Sequence, residues 1–275
     1  MRKAYSIFIL GLLITMLTAC GNDEPSDNYL YAYMSSFNYV VNKEDSQVTL
    51  SNGTFYFSIN TSTNKATMEG TVKINDESSV LLQLANLNST YTQGGYILTL
   101  PTAMVECGDG HFITGLRVRI DARSTISKNN YIAIEFDEQY SFFGYLSTML
   151  FENSVSEVGH DAQRSDISII NDGAYSIALD IENDMADLTI ANVYSTASGK
   201  TTLTFRGLHM EANANGLVIS MPEGSEGIRE ADRSEVLKGL NLTVDMQEGR
   251  FELRDCQIAK GSDIFYIHHA TGTID

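Results

Sequence analysis

Tryptophan is absent from the 275 residues, and proline and cysteine number three each. Three cysteines cannot form the bridged framework that holds small secreted domains together. So few prolines, alongside 43% hydrophobic residues, exclude a chain that stays unfolded throughout. Positive charge is also scarce: 18 Lys and Arg stand against 35 Asp and Glu, a net charge of -17. Binding a phosphate backbone requires a positive surface that displaces counterions, so nucleic acid is excluded as a partner. The familiar catalytic signatures are missing too. There is no G-x-S-x-G elbow, H-E-x-x-H pair, P-loop, dinucleotide fingerprint or C-x-x-C pair. The expectation is a protein that is not an enzyme, with no cofactor and no metal.

The N-terminus carries an address. Arg2 and Lys3 precede an apolar run from Ile7 to Leu17, too short for a permanent bilayer span, which ends in Leu17-Thr18-Ala19-Cys20. Small residues fit a signal peptidase, and the Cys20 thiol offers a nucleophile for acylation. This stretch resembles a bacterial lipoprotein lipobox. The resemblance implies removal of residues 1–19, a thioether-linked diacylglyceryl group on Cys20 that palmitate would label, and usually a third chain on the new amino group. Loss of Arg2 and Lys3 moves the net charge from -17 to -19. Anionic headgroups repel such a body, so the acyl chains alone must hold it to the membrane. Residues 20–28 continue as an acidic tether, Gly21-Asn22-Asp23-Glu24-Pro25-Ser26-Asp27-Asn28. Its acidic pair is similar to the surface-export signal of Bacteroidota lipoproteins. That implies the outer membrane, facing outward, with a periplasm-facing anchor as the alternative.

The rest of the chain repeats itself. Asn52–Ile59 aligns with Asp172–Leu179 at an offset of 120, and Leu82–Leu87 with Leu203–Leu208 at 121. Tyr96–Pro101 aligns with Leu217–Pro222 at 121, and Gly115–Asp121 with Gly239–Asp245 at 124. The matched blocks alternate apolar and polar residues, as in Leu116, Val118 and Ile120 against Arg117, Arg119 and Asp121. Such alternation marks strands with one dry face. Turn chemistry recurs about every ten residues, at Ser51-Asn52-Gly53, Gln93-Gly94-Gly95 and Glu248-Gly249. The expected fold is all-β: two related antiparallel modules, sandwich or barrel, spanning 29–145 and 146–275. Tyr29, Tyr31 and Tyr33 would open the first strand. Asp161–Ser165 is the most linker-like stretch between the copies. Tyr140–Phe151 competes as a helix or a buried strand, and Glu230–Lys238 as a helical turn or two.

Four polar groupings stand out. Glu106-Cys107-Gly108-Asp109-Gly110-His111 offers thiol, carboxylate and imidazole, but its glycines favour a tight connection over a transition-metal site. His268 and His269 follow a final strand; as neighbours they should point to opposite faces and not share an ion. Asp180, Glu182, Asp184 and Asp187 read as a solvated acidic face and not a calcium loop. Copy one carries Asn60, Ser62 and Asn64 at the first three of those places. Cys107 and Cys256 are not equivalent between copies, so a disulfide, if present, would join the modules.

The functional expectation is a lipid-anchored envelope protein that binds a glycan or an envelope component without catalysis. The absence of tryptophan removes the largest sugar-stacking surface, although tyrosine can substitute. A structural or adhesin subunit built by strand addition and a lipocalin-like carrier of an apolar ligand are the alternatives.

Overall fold

The computed structural model describes residues 29–92, 95–108, 110–121, 131–145, 148–196, 199–230 and 234–274. The regular elements among them are all strands. The first ring contains β1 (Tyr29–Asn42), β2 (Val48–Asn60), β3 (Lys65–Lys73), β4 (Ser79–Thr92) and β5 (Gly95–Thr99). A short hairpin, β6 (Met104–Glu106) and β7 (Phe112–Thr114), precedes β8 (Arg117–Asp121), β9 (Tyr131–Phe136) and β10 (Tyr140–Tyr145). β10 then pairs with β1, from Phe37 opposite Tyr145 to Asn42 opposite Tyr140, closing an antiparallel barrel.

The second ring starts at once with β11 (Thr148–Gly159), β12 (Ser168–Asp180), β13 (Met185–Thr196), β14 (Gly199–Asn213) and β15 (Gly216–Ser220). It continues through the short β16 (Ile228–Arg229) to β17 (Val236–Asp245), β18 (Arg250–Lys260) and β19 (Asp263–Thr273). β19 pairs with β11 and β15 with β17, so this ring also closes, with β16 attached beside β17. Of the two β architectures the sequence allows, both modules adopt the barrel.

The repeat extends to backbone irregularities. The matched blocks fall on β2 and β12, β4 and β14, β5 and β15, and around β8 and β17, at equivalent places in the two rings. Asn64 and Asp184 both take left-handed conformations, with φ of 54° and 53°. The carbonyl of each accepts a backbone N–H at 2.9 Å, from Ser89 and from Met210. Register slips once between Ala66 and Met68 opposite β4, and once between Ala186 and Leu188 opposite β14. The bulged residues, Asn86 and Gly207, again have positive φ. A bulge adds local twist and bend, and this one is built into both copies.

Side chains fill the interiors. In barrel one, Phe55 packs edge-on against Phe142 with ring centroids 5.1 Å apart. Its ring lies over Gly70, where a Cβ would come within 2.1 Å of it. In barrel two, Phe251 contacts both Phe151 and Tyr175 at 4.8 Å. Tyr175 occupies the repeat position of Phe55, and the hydroxyl it adds is paired with Ser156 at 2.7 Å. A buried polar group without such a partner would be destabilising. Inward residues are apolar and outward ones wet: Ala66, Met68 and Val72 are buried while Lys65, Thr67, Glu69 and Thr71 are exposed. That polarity is the reverse of a membrane-spanning barrel, whose outer band is apolar.

One wall of barrel one departs from this pattern. Phe37, Tyr39 and Val41 on β1, Ala133 on β9 and Phe143 on β10 are buried on the outer face and join the hydrophobic core of barrel two. The Tyr39 hydroxyl donates to the Asn213 carbonyl at the end of β14. Burial, assisted by the negative charge of Asp245, pushes the Tyr39 phenol up to about 12.

Several expected elements change identity. Tyr140–Phe151 is no helix: β10 ends at Tyr145 and β11 begins at Thr148, so the stretch carries the chain from one ring into the next. Its Leu, Met and Phe residues reflect barrel interiors and the wall contact. Asp161–Ser165 is not a linker between copies but lies in the loop joining β11 to β12 inside barrel two. Asp161 and Asp166 knit it by accepting backbone N–H groups of Gln163 and His160. Tyr29, Tyr31 and Tyr33 do lie on the first strand, opposite Asn60, Ser58 and Tyr56 of β2. Over Glu230–Lys238, residues 231–233 lie outside the described residues and Val236 opens β17, so the described part holds no helical turn.

Two substitutions test this packing. Gly216 has φ of 137° and a Cβ there would sit 1.9 Å from the Val244 carbonyl oxygen, so Gly216→Ala should destabilise barrel two by about 2–3 kcal/mol in chemical unfolding. Tyr39→Phe leaves the Asn213 carbonyl without its donor and should cost about 1–3 kcal/mol. The raised Tyr39 pKa also sets a sign. The contribution of the protonated phenol is complete below its ordinary value and is lost as pH rises through about 12. Wild-type protein should therefore show late-ionising tyrosines in an alkaline absorbance titration, and Tyr39→Phe should lose one equivalent of them.

Candidate functional site on the barrel walls

With the interiors occupied by side chains, three concave surfaces among the described residues lie on the outer walls. One, of about 470 Å³, crosses β2, β3 and β4 of barrel one and is lined by Asn52, Thr54, Tyr56, Glu69, Thr71 and Lys73 among others. A second, of about 600 Å³, crosses β15, β17, β18 and β19 of barrel two between Asn213, Asp245, Arg250 and Thr271. A third, of about 470 Å³, adjoins it through the shared Glu252 and His269 and adds Glu157, Arg164, Arg254, Asp255 and His268. The second and third form one polar groove along β18. The barrel-one and barrel-two concavities lie on non-equivalent strands, so the repeat does not supply two matched sites.

Register explains how the groove forms. Asn241, Arg254 and His269 stand opposite one another across β17, β18 and β19, and His269 faces Glu157 of β11. One row along, Val218, Thr243, Glu252 and Thr271 do the same from β15 to β19. Irregularities in pairing break the wall just beyond the first of these rows. Pairing of β17 with β18 shifts between Gly239 and Asn241, near Asp255 with φ of 55°. Pairing of β11 with β19 shifts between Glu157 and Val158, which makes His268 the extra residue.

The second shift corrects the expectation for the histidine pair. His268 and His269 lie inside β19 and not at a frayed strand end, and the bulge lets both rings line the same concavity. Alternation fails there because a bulge puts two residues where the partner strand has one. His268 is 95% buried by its 5% exposure, lies parallel to the Tyr266 ring at 5.4 Å, and its Nε2 has no hydrogen-bond partner. His269 Nε2 lies 3.2 Å from Glu252 Oε1. The same carboxylate accepts from Arg254 Nε and Nη2 at 3.0 and 2.6 Å. The Arg254 hydrogen bonds hold Glu252 below the usual carboxylate range, and His269 acts in the same direction. Arg164 pairs with Glu157 at 3.5 Å across the groove's far end.

The remaining candidates separate. Glu106–His111 spans the turn of the β6–β7 hairpin, with the His111 carbonyl accepting the Cys107 N–H at 2.6 Å. Cys107 is buried in the core of barrel one, whereas His111 faces Asp137 at 3.5 Å; Asp109 lies outside the described residues. Asp180 accepts from Asn183, while Asp187 accepts the Gly207 N–H at 3.0 Å and faces Arg206 at 3.8 Å. These acidic residues hold a turn and a bulge. Among the described residues no group of three His, Cys, Asp or Glu is arranged to hold a metal ion. No disulfide joins Cys107 to Cys256: both are buried thiols in different barrels, and burial pushes the Cys256 thiol up to about 12.

Cys20 and the lipobox expected before it lie outside the described residues. Among those described, no helix is long and apolar enough to cross a membrane. No known family model matches the chain, and no curated protein matches it either.

Removing the Arg254 guanidinium should release Glu252. In Arg254→Ala, nuclear magnetic resonance titration of the Glu252 carboxyl should give a higher pKa than in wild type. In wild type the pairing is complete above the ordinary carboxylate value and is lost as pH falls through the depressed one.

Proposed function

We propose that this is a lipid-anchored protein of the bacterial cell envelope, held in the outer membrane through acylated Cys20 and facing outward. It binds a glycan or an envelope component without catalysis. The observation carrying this reading is the joint placement of Leu17-Thr18-Ala19-Cys20, the polar tether to residue 28, and a strand that starts at Tyr29. An acylated cysteine so close to the first barrel holds the folded part near the membrane surface, where two or more acyl chains give stable anchorage.

The barrels support binding on the outside of the modules. An apolar cargo needs an internal cavity, whereas Phe55, Phe142, Phe151, Tyr175 and Phe251 fill the interiors. Assembly by strand addition needs an open sheet edge, and ring closure pairs Phe37–Val41 of β1 on both sides, with β10 and with β2. The polar wall grooves suit a hydrated ligand.

Metabolic labelling with palmitate tests the anchor. Wild-type protein should take up label and Cys20→Ala should not; an unlabelled wild-type protein refutes the reading. Protease added to intact cells tests orientation. Wild type should be digested, while replacing Asp23 and Glu24 with alanine should protect the protein without reducing its label.

A further inference from the structure

We infer that the groove along β18 of barrel two is a glycan-binding subsite, taking a polyhydroxyl chain laid along the strand. The inference deepens the binding role proposed above and rests on it. Its first support is how the two barrels use one wall. In barrel one, β1, β9 and β10 present Phe37, Tyr39, Ala133 and Phe143, and this apolar face is spent on the contact with barrel two. In barrel two the equivalent strands, β11, β18 and β19, present Glu157, Arg254 and His269 instead, and that face stays open. The β8–β9 and β1–β10 pairings of barrel one run without a register slip, whereas the equivalent β17–β18 and β11–β19 pairings slip. Bulges are over-represented beside binding sites because they re-aim side chains.

The second support is a polar atom left over. His268 lines the groove, and its Nε2 is buried with no hydrogen-bond partner, an arrangement that is destabilising. The ligand class follows from the donor and acceptor mixture. Arg250 at one end offers guanidinium donors, Asp255 near the other a carboxylate acceptor, and the Thr243 and Thr271 hydroxyls lie between. A sugar hydroxyl both donates and accepts, so a run of hydroxyls can answer this alternation without bringing a net charge. From Arg250 to Arg254 the strand advances roughly 13 Å, enough for an extended ligand and not a single small ion. Val155 and Ile169 are 43% and 53% exposed beside Glu157, and provide apolar surface for the C–H faces of sugar rings where tryptophan is missing.

The test uses the full mature chain on an array of defined bacterial and host oligosaccharides, followed by calorimetric titration of those captured. Arg250→Ala and Arg254→Ala change exposed residues and should keep the wild-type melting temperature. Each should weaken binding by about tenfold, the scale of a lost charged hydrogen bond, and His268→Gln should weaken it as well. Binding that resists all three substitutions but disappears in Tyr56→Ala moves the site to barrel one. That result overturns the inference and leaves the proposed binding role standing. Capture of no oligosaccharide on the array overturns the glycan assignment and leaves the binding of another envelope component standing.

Discussion

Ring closure is the constraint on which the rest of this molecule depends. Eight antiparallel strands joined edge to edge leave an inside and an outside, and the inside of so narrow a barrel is just wide enough for side chains. Aromatic rings at the centre of each barrel meet that demand. Where a ring must lie flat against the neighbouring strand, as Phe55 does over Gly70, the sequence omits the neighbouring side chain. Where the second copy adds a hydroxyl, at Tyr175, a serine is positioned to pair with it. With the interiors filled, the concavities described above lie on the outer walls.

Those walls are where the two copies have diverged. They share strand order, turn conformations and the bulge at Asn86 and Gly207, all consequences of building the same ring twice. The wall formed by the first strand and the last two strands of each ring is used differently. In barrel one it is apolar and dry, and Tyr39 supplies one polar anchor to the partner barrel. In barrel two it carries paired charges, two histidines and slips in register. Duplication thus provides one copy as a dock and frees the other for the groove along β18.

Much of the architecture was legible from residue pattern. Alternation such as Leu116-Arg117-Val118-Arg119-Ile120 identifies strands because a pleated chain must segregate its faces. The collinear blocks identify the duplication because equivalent strands need equivalent volumes and turns. Elements governed by contacts with the other barrel were less legible. Tyr140–Phe151 looked helix-like because apolar residues serving two barrels in succession obscure the period of two. Asp161–Ser165 looked like a linker because a polar loop within a ring and one between rings have the same composition. The candidate site was hardly legible at all. Its residues come from β11, β15, β17, β18 and β19, far apart in the chain, and the side of His268 depends on one unpaired residue in the ladder.

The residue order alone determined that this chain is all-β, built twice and acidic, because periodicity, repetition and charge are local properties. Tertiary structure decided that each module is a closed barrel, that Tyr39 faces the other barrel, and that His268 and His269 share one groove. Those outcomes depend on which strands meet and in what register. A single bulge reverses the face of a side chain without leaving a mark in hydrophobic pattern.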